Sequence, residues 1–209
     1  MSKYDPKFYD AIRAGCIASA QAVVPYVREA LVDPVRTVVD VGGGEGWWAR
    51  AFLDHGATEA TCLDGGTRHE EAPGVRFIPV DLTRPFSMHD VFDLAVCLEV
   101  AEHVPAVHAD RLVESLCNLA PVVLFSAAMP RQGGTGHVNC QPPAYWAEKF
   151  AAHGYICDGS LRWAIWDLPE VEPWYKSNLL LFRHAWRYDD PAHEEPLHVI
   201  HPDLWLQPR

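Results

Sequence analysis

The stretch Thr37-Val38-Val39-Asp40-Val41-Gly42-Gly43-Gly44-Glu45-Gly46-Trp47-Trp48-Ala49-Arg50-Ala51-Phe52-Leu53 decides the fold. Its first five residues form a short run of valine and threonine interrupted by one acid. Glycines follow, and the remaining residues read as a helix that Gly56 stops. A strand, a glycine turn and a helix in this order open an α/β sheet, and in such sheets ligands bind beyond the carboxyl ends of the strands. Glycines let the backbone turn sharply and let a ligand approach without a Cβ in the way. The dinucleotide spacing G-x-G-x-x-G, counted from Gly42, requires a small residue at position 47, where Trp47 stands. Glu45 adds a like charge, so a pyrophosphate packed on this helix is disfavoured.

Outward from this unit the alternation continues. Residues 60–63 and 75–80 read as the second and third strands, and Pro79, which has no N–H for a ladder, places the third at a sheet edge. Residues 92–98 form a more apolar fourth strand, followed by a helix with Leu112, Val113, Leu116 and Leu119 on one face. Residues 121–125 give a fifth strand. A Gly-rich loop over residues 129–143 leads to a helix at 144–153 that Gly154 ends. Strands at 160–166 and 179–182 follow with no helix between them, which implies a hairpin. Before the glycine unit, residues 7–32 read as helix broken at Pro25, and residues 187–209 as an irregular tail. Five βα units and a terminal hairpin predict an open, mostly parallel seven-stranded α/β sheet with helices on both faces and an antiparallel C-terminal hairpin. We read residues 1–209 as one domain, with residues 1–35 as an N-terminal helical segment.

Composition narrows the classes of function. The 209 residues are 49% hydrophobic, enough for one core, yet no apolar run approaches the roughly 20 residues that cross a bilayer. The N-terminus lacks a basic segment followed by an apolar one, so neither a membrane span nor a secretory signal is expected. The net charge of −11 opposes binding to a polyphosphate, so nucleic acid is not an expected partner. Six cysteines, none in a C-x-x-C pair, fit small core residues of a reducing cytoplasm. Quaternary state leaves no readable mark.

The turn resembles the first motif of class I S-adenosylmethionine (SAM)-dependent methyltransferases, a hydrophobic residue followed by (D/E)-x-G-x-G-x-G, here Val39-Asp40-Val41-Gly42-Gly43-Gly44-Glu45-Gly46. The likeness spans about residues 37–182 and implies a Rossmann-like sheet. Asp64 closes the second strand, 20 residues after Gly44, where the family holds both ribose hydroxyls. Asp81 and Leu82 follow the third, where the family places the adenine. Glu99 ends the fourth, beside the family's methionine moiety. The chemistry matches these residue types: a carboxylate accepts both O–H groups of a vicinal diol, and a sulfonium is stabilised by carbonyl dipoles and aromatic faces. By this reading Asp40, Gly42, Gly44, Gly46, Trp47, Asp64, Asp81, Leu82 and Glu99 bind cofactor. Asp40 is expected on backbone amides or the cofactor's ammonium group, Trp47 over the cofactor, and Trp48 and Phe52 in the core.

After the fourth strand the chain reads Glu99-Val100-Ala101-Glu102-His103-Val104-Pro105. Positions i, i+3 and i+4 share a helical face, so Glu99, Glu102 and His103 are candidate ligands for a divalent ion (Mg, Mn or Zn). The string is similar to the E-V-x-E-H segment of quinone-biosynthesis O-methyltransferases and of small-RNA 2′-O-methyltransferases, in which the acids and histidine bind a metal. It also occurs in class I members in which no metal is established. The candidate fourth ligand lies in the Gly-rich loop at residues 133–139 after the fifth strand, which carries His137. His103 and His137 are the candidate acid/base residues, because imidazole titrates near neutrality. Arg162, Trp166, Trp174, Tyr175 and Asn178 flank the region that closes the acceptor pocket. The expected activity is methyl transfer to a small molecule. The alternatives are another use of the same cofactor, such as cyclisation of its aminobutyrate arm, RNA 2′-O-methylation, and cofactor binding without turnover.

Overall fold

The computed structural model describes residues 6–66, 71–187 and 197–205; side chains are described from Tyr9 onward. Seven strands form one sheet in the order β3-β2-β1-β4-β5-β7-β6. They are β1 (Thr37–Val41), β2 (Glu59–Leu63), β3 (Arg76–Ile78), β4 (Leu94–Leu98), β5 (Val122–Ser126), β6 (Tyr155–Asp158) and β7 (Leu180–His184). The first five pair in parallel, whereas β7 runs antiparallel to both β5 and β6. The fold class is therefore the one expected, with β3 at an edge.

Helices cover both faces. On one lie α1 (Pro6–Ala30), α2 (Trp47–Asp54), α5 (Leu161–Ile165) and α6 (Pro173–Asn178), which enclose Val24, Val27, Phe52 and Ile165. On the other lie α3 (Ala109–Leu119) and α4 (Pro143–Ala151), which pack Leu112, Leu116, Trp146 and Phe150 on the sheet. β4 and β5 are buried throughout, as strands covered on both faces must be. Trp48 and Phe52, four residues apart on α2, lie in the core as expected.

Four local expectations are corrected. Pro25 does not break α1, which runs unbroken through it. Val23, Val24 and Val27 around it are fully buried, and this packing outweighs the roughly 3 kcal/mol cost of an interior proline. Residues 160–166 are not a strand. Leu161 and Ile165, four apart, form the buried face of α5, and the partner of β7 is β6. The connection between the two antiparallel strands thus holds α5 and α6. No helix follows β2 or β3 among the described residues, so fewer than five βα units are present. In the tail, Pro202–Trp205 forms a single helical turn, α7, and residues 188–196 and 206–209 lie outside the described residues.

Chain order reverses beside β1, whose neighbours are β2 and β4. The turn after β1 and the segment after β4 therefore flank the crevice in which such sheets bind ligands.

Leu124, on β5, is fully buried between helical layers. Leu124→Ala should cost about 2 to 5 kcal/mol in chemical denaturation, whereas Val138→Ala, at an exposed loop position, should cost less than about 0.5 kcal/mol.

Candidate active site

β1 delivers Asp40 to the base of the glycine turn, where it is 2% exposed. Its carboxylate accepts the N–H of Ala49 in the first turn of α2, and its Oδ2 has no hydrogen-bond partner. A Cβ on Gly43 would lie 2.2 Å from that oxygen, so the turn must be glycine here for the acid to fit beneath it. Gly44 adopts φ +56°, a region glycine enters without penalty, and a Cβ there would meet the Tyr9 ring of α1 at 2.9 Å. Burial, reinforced by the negative charge of Asp64, pushes the Asp40 carboxyl up to about 7.

Asp64, just past β2, accepts the N–H groups of Gly44 at 2.9 Å and Gly66 at 2.5 Å. It locks the turn in place and also faces the cavity beside it. Asp81 accepts the N–H and hydroxyl of Thr83 at 3.0 and 2.6 Å, a local turn-capping arrangement, and lines the same cavity with Leu82. The Glu45 charge at the turn is paired rather than repelling. Arg13 of α1 grips both its oxygens, at 2.6 and 2.7 Å, and the Trp47 indole N–H donates to it at 2.9 Å. This pair, 32 residues apart in sequence, seats α1 over the turn, and Trp47 lines the cavity from there.

At the other end of the crevice, Glu99 leaves β4 with φ +54°, so it does not belong to a helical turn; the 3-10 turn covers only Ala101–His103. Its N–H donates to the carbonyl and hydroxyl of Ser126, both at 3.0 Å. Its carboxylate accepts from Asn178 at 3.1 Å and Gln132 at 3.3 Å. The expected helical face of Glu99, Glu102 and His103 is thus corrected, although all three line one cavity: the compact group is Glu102, His103 and His137, whose ligand atoms lie within 4.8 Å of one another. The loop after β5 brings His137 there, because the N–H groups of Val138 and Asn139 both donate to the Glu102 carbonyl, at 2.8 and 2.9 Å.

The two acids nevertheless adjoin each other. Burial raises both carboxyls, that of Glu102 further because the Glu99 charge adjoins it. Two adjacent buried carboxyls cannot both ionise at low cost, so the pair retains a proton above the ordinary carboxylate range. Glu102 Oε2 has no hydrogen-bond partner. The His137 ring lies 4.0 Å from Glu102 Oε1 and edge-on to His103, with centroids 4.9 Å apart. Burial lowers the His137 pKa, which favours a neutral, proton-accepting ring. Burial raises the neighbouring Cys140 thiol, and pushes Cys16 up to about 12, so neither supplies a thiolate.

Both ends open into one cavity of about 1450 Å³. That exceeds the roughly 300–1,000 Å³ of a pocket for one ligand, and leaves space for two molecules. Sequence reading did not find the cavity walls contributed from afar: Tyr9 and Arg13 of α1, Gln132 after β5, and Ile200 and Trp205 in the tail.

The sequence matches the methyltransferase-domain family over residues 18–202. The chain belongs to that family. No curated protein matches it. Among solved structures, the amino pentose methyltransferase CalS10 of Micromonospora echinaspora, bound to SAM, shares 18% identity at a TM-score of 0.65, covering 88% of this chain and 99% of that one. The magnesium protoporphyrin IX methyltransferase of Synechocystis, bound to SAH, shares 18% identity at a TM-score of 0.59, covering 88% and 90%. A Haloferax volcanii putative methyltransferase complexed with the activator Trm112 shares 16% at 0.59, covering 84% and 95%. These likenesses extend the methyltransferase fold across nearly the whole chain.

The buried acid of this methyltransferase yields a pH test. With its folded pKa near 7 and an ordinary value of 3.8, Asp40 binds more proton in the folded than in the unfolded state between those limits. Its contribution to stability therefore falls as pH rises from about 4 to 7, by up to about 1.4 kcal/mol per pH unit. Asp40→Asn should lose this slope: unfolding curves of the two proteins, compared from pH 4 to 8, should diverge in favour of the variant. Parallel profiles would contradict the assignment.

Proposed function

We propose that the protein transfers a methyl group from SAM to a small-molecule acceptor. The observation that carries this reading is the continuity of one cavity from the glycine turn, with the unpartnered Asp40 oxygen beneath it, to the Glu102, His103 and His137 group. The residues fit the cofactor. Gly42 and Gly44, both at positive φ, line the cavity, whereas Gly46 packs against Phe77 and Val75 outside its lining, and Asp40 offers a buried acceptor for an ammonium group. Asp64 would hold the ribose hydroxyls, Asp81 and Leu82 the adenine, and Trp47 would cover the cofactor from the turn. Glu99, fixed by Asn178 and Gln132, would face the methionine part.

When bound, SAM supplies an electrophilic methyl on a cationic sulfur. The protein's task is then to hold the acceptor in line, and positioning of this kind lowers a barrier by roughly 7 to 11 kcal/mol. His137, kept neutral by burial, or His103 beside it, would take the acceptor's proton. The Glu99 and Glu102 pair stands next to them as a further proton holder. The acidic net charge argues for a small acceptor rather than RNA. The six cysteines are free thiols, which supports a reducing, cytoplasmic setting. No described helix is long and apolar enough to cross a membrane.

A second reading has its own observation. Glu102, His103 and His137 converge closely enough to hold a divalent ion such as Mg²⁺, Mn²⁺ or Zn²⁺, with the Glu99 charge adjoining Glu102. Such an ion would lower the pKa of an acceptor hydroxyl.

Three experiments test these readings. Asp64→Ala should weaken SAM binding by about 1.5 to 3 kcal/mol in calorimetry of the folded variant, and no loss would remove Asp64 from the site. Turnover of labelled SAM against a metabolite panel should release S-adenosylhomocysteine; methylthioadenosine would mean cyclisation, and binding without either product a non-catalytic protein. With an acceptor in hand, chelator decides the metal: activity lost and restored by Mg²⁺, Mn²⁺ or Zn²⁺ supports it, whereas full chelator-resistant activity of metal-free protein sinks it.

A further inference from the structure

Residues 197–205 lie on the cavity, far in sequence from every motif above, and the structure shows what holds them there. Arg162, fully buried at the start of α5, donates to the Leu197 carbonyl at 2.7 Å and to the Ser177 carbonyl at 3.3 Å. The Ser177 hydroxyl accepts the His201 N–H at 2.9 Å, and the His201 ring meets the Trp166 carbonyl at 3.0 Å and packs on the Trp166 ring, centroids 4.7 Å apart. His201 itself is 7% exposed. A tail tied at both Leu197 and His201 is a built wall rather than a loose end.

Its placement separates two halves of the cavity. Asp64 and Asp81 follow β2 and β3, on one side of β1. The tail packs by α7 against α6, whose Asn178 holds Glu99, on the β4, β5 and β7 side. The segment thus adjoins the side of the cavity where Asn178 meets Glu99, whose charge in turn acts on Glu102. Ile200, Leu204 and Trp205 line the cavity, joined by Trp174. Ile200 and Trp205 remain 38% and 68% exposed, so large apolar surfaces stand open at the mouth of a cavity whose floor is polar and titratable. Exposed apolar surface concentrated at a pocket marks a surface that something covers.

We propose that residues 197–205 are the acceptor-selecting wall, and that the acceptor is amphiphilic, its apolar body lying against Ile200, Leu204 and Trp205 and its proton-bearing head reaching Glu102, His103 and His137. The inference rests on the methyl-transfer reading for the meaning of "acceptor", but the wall's preference is measurable without turnover. Arg162 acts as a positioning residue, through the tail.

The test is calorimetric titration of the protein saturated with S-adenosylhomocysteine, using 1-alkanols and 1-alkylamines from four to eight carbons, with glycerol as the polar control. Each added methylene should tighten binding about fourfold until the space is filled. Trp205→Ala should at least halve that dependence on a logarithmic scale, and Ile200→Ser with Leu204→Ser and Trp205→Ala should abolish it, with S-adenosylhomocysteine affinity unchanged. Because Trp205 is largely exposed, the single variant keeps the test decisive if the triple variant does not fold. Affinity independent of chain length, an unchanged slope in Trp205→Ala, or tighter binding of glycerol would overturn the proposal. If S-adenosylhomocysteine itself does not bind, the cofactor reading fails, and the same series on the unliganded protein decides the wall by itself.

Discussion

The carboxylate of Asp40 has to be buried under a turn that carries no side chains, and the rest of the molecule is arranged around this requirement. The acid stands at the end of a strand buried on both faces, and one oxygen is satisfied by the start of α2. Gly43 leaves room for it, and Asp64 holds the Gly44 N–H from the neighbouring strand. Helix α1 closes the arrangement from above through Tyr9 against Gly44 and Arg13 on Glu45. A buried acid with one oxygen unpartnered is costly unless a donor or a cation arrives, and the open cavity is where one can.

Reversal of chain order beside β1 then brings a second set of groups to the same crevice. Ser126 at the end of β5 fixes the backbone of Glu99 at the end of β4, and the loop beyond β5 folds back to hang His137 on the Glu102 carbonyl. Acids and imidazoles so close are useful to chemistry in which a proton must leave an acceptor, and their mutual burial displaces their pKa values in opposite senses: the carboxyls rise and His137 falls. Both sets line one cavity.

The parts legible in the sequence were those written in short range. The glycine turn, the strand-ending acids Asp64, Asp81 and Glu99, and the apolar stripe of α3 lie within single elements, where period and punctuation carry the signal. What escaped was written across distance or against local preference. Arg13 and Glu45 are 32 residues apart, Asn178 and Glu99 are 79 apart, and the tail is tied beside the cavity by the buried Arg162 and by Ser177. Pro25 and α5 misled for the opposite reason. Packing carried a helix through a proline, and five residues, too few to show helical periodicity clearly, buried Leu161 and Ile165 on one side. Glu99 was placed in a helical turn with Glu102 because spacing alone cannot reveal a positive φ at the strand end.

The central claim is that one cavity seats the cofactor on the glycine turn and the acceptor beside Glu102, His103 and His137. A crystal structure of the protein soaked with S-adenosylhomocysteine tests it most directly. The account predicts the ribose hydroxyls on Asp64, the ammonium group near the now ionised Asp40, and the sulfur facing the Glu99 and Glu102 side, with space left before Ile200 and Trp205. Density for the ligand outside this cavity, or its adenosine placed against the histidines, would contradict the account.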